Sequence, residues 1–164
     1  MRKHLLTLLC LLPISVCNAA SDEFHCELAN HKIVKISKSS DGSLHYQYGA
    51  ENKPEMVLPV PGNKSQIVRY SIIPMAGGSA SYVRFTNGNI SYVMFEGGGL
   101  NWGIYTGLVV WQGKKILSQR QCVKTPDILQ NFLEANNQLV KEDDENAMQY
   151  GYNFLDIIAP NRQG

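Results

Sequence analysis

The chain has 164 residues, 44% of them hydrophobic and 18% charged, with a formal net charge of +1. That balance fits one globular domain with a tail and excludes a disordered chain. The near-zero charge argues against a nucleic-acid binder that works by phosphate neutralisation.

The first twenty residues read as a secretory signal peptide. Arg2 and Lys3 form a positive start, Leu5 to Val16 an apolar stretch of about a dozen residues, and Cys17-Asn18-Ala19-Ala20 a small-residue cleavage region. A lipid anchor fits poorly, because Leu9 precedes Cys10 and Val16 precedes Cys17, where a small residue is needed. No later stretch approaches the ~20 apolar residues of a membrane helix. The expectation is an exported chain, periplasmic or secreted, with no membrane insertion after cleavage.

Cleavage leaves Cys26 and Cys122. In an oxidising compartment they most simply form one disulfide; the alternative is two free thiols. Closing a loop of that length is worth about 4–5 kcal/mol in the chain-entropy account. The charge becomes uneven: residues 21–122 carry net +3 and residues 123–164 net −4.

Residues 21–122 form the expected disulfide-closed β domain, in which residues 26–122 read as short strands joined by turns, with Cys26 before the first strand. His31 to Lys38 mixes β-branched residues with lysines, and Asp41-Gly42 makes a hairpin turn into Leu44–Tyr48. Met56 to Val60 holds a proline and is an edge strand at best. Ile67–Ile73 follows. Ser81–Thr86 and Ile90–Phe95 flank Asn87-Gly88-Asn89 as the clearest hairpin. Gly97 to Gly103 is a glycine-rich connection, and Ile104–Trp111 and Lys115–Cys122 form the last hairpin. Tyr82, Phe85, Tyr92 and Phe95 read as core residues or cross-strand pairs. About eight strands with short turns predict a mainly β fold: an antiparallel meander, either a small barrel or a curved sheet. The disulfide would pin its two ends together.

The chain changes character at Thr125-Pro126-Asp127, a helix start with Thr as N-cap. Ile128, Leu129, Phe132 and Leu133 share one helical face, which predicts a helix over 126–140. Residues 142–145 read as a solvated acidic run, and Ala147 to Ala159 as a second helix. Residues 123–164 are therefore a helical, acidic C-terminal extension.

Motifs for hydrolases, P-loops and dinucleotide folds are absent from the sequence. His25, His31 and Cys26 could bind zinc only if Cys26 kept a free sulfur. Glu51, Glu55 and Glu96 have no spacing that pairs any two. The expectation is a binding protein, not an enzyme, with no cofactor and no metal. Leu100 and Trp102 in the glycine-rich loop are candidate partner contacts, the alternative being that Trp102 caps an open barrel end.

A cysteine before the sheet, the run Gly77-Gly78-Ser79-Ala80-Ser81-Tyr82, the strand Ile90–Phe95 and a partner cysteine at the sheet's end resemble the C-type lysozyme inhibitors of the bacterial periplasm (the MliC/PliC group). The resemblance covers roughly residues 24–122. It implies a small disulfide-closed β-barrel whose turn serine and turn lysine enter the lysozyme cleft. Ser79 or Ser81, before Tyr82, matches the serine. The lysine turn corresponds to Met94-Phe95-Glu96-Gly97, where Phe95 replaces tryptophan and Glu96 replaces lysine. A carboxylate there would be repelled by acidic catalytic residues. The layout also resembles periplasmic immunity proteins that neutralise cell-wall-degrading toxins. The expected function is an inhibitor or immunity protein whose partner is a cell-wall hydrolase, bound through Ser79, Ser81, Tyr82, Glu96, Leu100 and Trp102. The alternative is a carrier that holds a small ligand in the barrel interior, lined by Tyr46, Tyr48 and Tyr92.

Overall fold

The computed structural model describes residues 22–59, 66–100, 103–125, 127–136 and 139–152. The expected signal peptide, Trp102 and the end of the expected second helix lie outside the described residues. Nine strands form one antiparallel sheet in the spatial order β4-β3-β2-β1-β9-β8-β7-β6-β5. They are β1 (Glu23–Leu28), β2 (Ile33–Lys38), β3 (Leu44–Ala50), β4 (Lys53–Leu58), β5 (Ile67–Met75), β6 (Gly78–Asn87), β7 (Ile90–Gly99), β8 (Gly103–Gln112) and β9 (Lys115–Lys124). The sheet is a meander that curls without closing: β4 and β5 are its two edges. The expected mainly β meander is present, in its curved-sheet form.

Cys26 lies inside β1 and not ahead of it, so β1 is a strand beyond those expected. Phe24, Cys26 and Leu28 alternate inward with period two. Among the described residues β1 pairs with β9 at Glu27–Lys124 and Leu28–Cys122, with a bulge between. The Cys26–Cys122 disulfide fastens this short joint. Two free thiols are thereby excluded, and Cys26 has no sulfur left for zinc.

The concave face carries the main core. Phe24, Val34, Ile36, Leu44 and Tyr46 from β1–β3 meet Val83, Phe85, Met94 and Leu108 from β6–β8. Helix α1 (Leu129–Ala135) closes one end of this core with Leu129, Phe132 and Leu133. It is shorter than the expected 126–140, and Ile128, not Thr125, is its N-cap, with no side-chain cap of its own. Asn136 ends it: its backbone N–H bonds the Leu133 carbonyl, and its side-chain amide donates to the Phe132 carbonyl at 2.7 Å.

The convex face of β5–β8 is covered too. Beyond α1 the chain passes the β5 edge, where Tyr70 and Lys141 form a parallel bridge. The Tyr70 N–H donates to the Val140 carbonyl, and the Glu142 N–H donates to the Tyr70 carbonyl at 2.8 Å. A short helix α2 (Asp144–Ala147) and a π-helical turn (Met148–Tyr152) then lie across the sheet. Asp143 caps α2 by accepting the Asn146 N–H, and that bond holds its carboxyl below the usual carboxylate range. Tyr150 packs edge-on against Trp111 and Tyr82, over a cluster that includes Ile73, Val93 and Phe95.

The acidic run is not wholly solvated. Glu142 is 7% exposed and takes a bidentate ion pair from Arg84, at 2.7 and 2.8 Å. Tyr150 stacks over the same guanidinium, 4.9 Å from ring centroid to Cζ. Burial alone would lower the Arg84 pKa; the hydrogen bonds and charge of Glu142 outweigh it and raise it.

Candidate functional site

Glycines shape the end of the sheet next to α1. The start of β6 and the end of β7 run so close that a Cβ at Gly78 would collide with the Gly98 carbonyl. Without side chains at Gly78, Gly98 and Gly99, a groove of 590 Å³ opens between these strand ends and the α1 N-terminus. Leu100, Ile104 and Ile128 stand around it, 90%, 78% and 56% exposed. Ser79, Thr106 and Thr125 supply hydroxyls, and Asp127 a carboxylate.

Glu96 holds the groove together. Its carboxylate accepts the backbone N–H of Leu129 at 3.1 Å and of Gln130 at 3.4 Å. It thus caps, from β7, a helix that has no cap of its own, and its negative charge complements the helix dipole. The Ser79 hydroxyl donates to the Gln130 side-chain carbonyl at 2.9 Å. On the far side, the Thr125 hydroxyl donates to the His25 carbonyl at 2.9 Å, and Asp127 accepts the His25 N–H at 3.2 Å. The groove is therefore built from three strands and a helix start, all anchored to one another.

Ser79, Glu96 and Leu100, expected as partner contacts, come together in this groove. Ser81 and Tyr82 do not line it. Ser81 points into the core opposite Glu96, and Tyr82 lies on the convex face under the C-terminal segment. Neither hydroxyl has a hydrogen-bond partner among the described residues, and burial pushes the Tyr82 phenol pKa up. Ile104 and Ile128 were missed. Ile104 sits opposite Gly98 across the β7–β8 pairing, so hairpin register could have found it. Spacing puts Ile128 on the buried helical face, but it is the N-cap and its side chain turns outward.

Among the described residues no group of three histidine, cysteine or carboxylate side chains could hold a metal ion. Chemically the groove offers apolar surface with a fixed polar rim. The one carboxylate at its floor, Glu96, is already engaged by two backbone N–H groups.

Comparison with models of known protein families, with curated proteins and with solved structures finds no match in any of the three.

Proposed function

We propose that this chain is an exported binding protein, an inhibitor or immunity protein that blocks a peptidoglycan-degrading enzyme of the cell envelope. Its contact surface in this reading is the glycine-floored groove. The observation that supports it is the exposed aliphatic trio Leu100, Ile104 and Ile128 around one opening. Exposed aliphatic side chains are ordinary one by one; three grouped around a preformed groove support the reading of an interaction site. Fully burying each would contribute roughly 1.5–3 kcal/mol before the costs of association. The contact proposed is apolar insertion, not a lysine reaching acidic catalytic groups.

The test is capture and inhibition with purified peptidoglycan hydrolases. The oxidised chain should retain one hydrolase and inhibit it. Leu100→Ser combined with Ile104→Ser should abolish retention while leaving the melting temperature unchanged. Retention by that double variant equal to the parent's would place the contact elsewhere. Retention of no hydrolase would reject the inhibitor reading.

A further inference from the structure

A second opening lies at the other end of the concave face. Tyr92 lines it and Gly98 lines the groove; these are six residues apart on β7, about 20 Å along the strand. Its origin is the short β1–β9 joint. β1 meets β9 at Leu28–Cys122 and Glu27–Lys124, and among the described residues no strand pairs with the outer side of β9 from Lys115 to Gln121. β3 and β4 therefore part from β7–β9 and leave a cleft of 210 Å³.

The walls of the cleft are aromatic and aliphatic. Tyr46 and Tyr48 on β3 form one wall, and Tyr92, Leu108 and Val110 on β7 and β8 form the other. Arg120 stands on the inward side of β9, opposite Leu108, yet is exposed at the mouth. Among the described residues no carboxylate lies within ion-pair distance of it. The neighbouring inward side chain on β9, Ser118, adds a hydroxyl opposite Val110. Tyr46 packs on Phe85 and Tyr92, with ring centroids 5.4 and 5.8 Å away, and its buried hydroxyl has no hydrogen-bond partner among the described residues.

An inward-facing cation with no counter-ion among the described residues, set at the mouth of a three-tyrosine cleft, fits one kind of ligand. We propose that this cleft binds a small aromatic carboxylate. The ring lies among Tyr46, Tyr48 and Tyr92, and the carboxylate pairs with the Arg120 guanidinium and the Ser118 hydroxyl. Guanidinium–carboxylate pairing is planar and bidentate, and aromatic rings favour offset or edge-to-face neighbours, so the two ends of such a ligand are recognised independently. This site does not depend on the groove or on the hydrolase reading.

The experiment is an NMR titration of the oxidised, ¹⁵N-labelled chain with 3-phenylpropionate, and in parallel with 3-phenylpropylamine. The carboxylate should give saturable shifts at the amides of Tyr92, Val110, Ser118 and Arg120, and the amine none. Arg120→Gln should weaken the carboxylate by about tenfold or more, as loss of a charge-assisted pair does, with the melting temperature unchanged. Arg120 lies at an exposed mouth, so the variant is expected to fold. No saturable shift at millimolar ligand, equal binding of the amine, binding unaffected by Arg120→Gln, or shifts centred on Leu100 and Ile104 would each overturn the proposal.

Discussion

The two halves of the sheet bury themselves differently. In β1 and β2 every second residue faces the core, and the other face carries His25 and Lys35, both partly exposed. In β6 six consecutive residues, Ala80 to Phe85, are buried. The reason is the C-terminal segment, which lays Tyr150 and Glu142 across the convex face of β5–β8. Alternation is the mark of a strand covered once; a continuous buried run is the mark of a strand covered twice. The aromatic pairs of the β6–β7 hairpin follow the same division. Phe85 and Tyr92 pair toward the core, while Tyr82 and Phe95 pair beneath the C-terminal segment.

The strongest way to break this arrangement is at the joint between the halves. Replacing Cys26 and Cys122 together by serine removes a cross-link spanning 96 residues. The expected loss is about 4–5 kcal/mol in denaturant unfolding. Because so little pairing joins β1 to β9, the two halves should then unfold in separable steps. A single transition would show that the shared concave core couples them without the disulfide.

The cover on the second half is tested next. Arg84→Met leaves Glu142 buried without its partner, at an expected cost of about 3–5 kcal/mol. Adding Glu142→Leu should recover most of it, because an apolar pair of similar size has no charge to desolvate. Equal instability of the single and double variants would show that Arg84 matters by packing alone.

Alkali probes one buried tyrosine in each half. Burial raises the pKa of Tyr46 on the concave side and of Tyr82 on the convex side. A raised pKa means the stabilisation is intact below the ordinary tyrosine value and is lost as pH climbs above it. Stability should therefore fall above about pH 10, by about 1.4 kcal/mol per pH unit for Tyr46 alone. Tyrosinate absorbance and circular dichroism should change together. Ionisation well before unfolding would show that the phenols are open to solvent.

The smallest effect belongs to the groove. Glu96→Gln removes the charge that caps α1 and should cost about 1 kcal/mol. Faster hydrogen exchange at the Leu129 and Gln130 amides would report it. Unchanged exchange would mean that packing of Leu129 and Phe132 holds the helix start unaided.

What could be read in the sequence was local. Asn87-Gly88 and Gln112-Gly113 announce their hairpins, because the conformation needed is a property of those residues. The strand containing Phe24, Cys26 and Leu28 is also written as alternation, but a cysteine there signals a cross-link as strongly as a strand. Glu142 gave no local sign of burial. Its partner Arg84 is 58 residues away, and a run of four acids ordinarily faces water. The same holds for α1, whose cap comes from Glu96 on another element, so Thr125 and Pro126 pointed to a start too early. In the groove, Ser79, Glu96 and Leu100 were legible as strand-end residues, while Ile104 and Ile128 required knowing which ends meet.

The bridge between Tyr70 and Lys141 bears on how these molecules behave in a crowd. An open strand edge is a template on which another chain can add itself, and sheets with two such edges polymerise. β4 guards its edge with Lys53, Pro54 and Glu55, all exposed and hard to pair. β5 reads Ile67-Val68-Arg69-Tyr70 and has one charge with which to deter a neighbour. Its own C-terminal segment occupies that place. A chain cut at residue 138 would lose this self-made gasket, and its expected fate is edge-to-edge aggregation rather than simple unfolding.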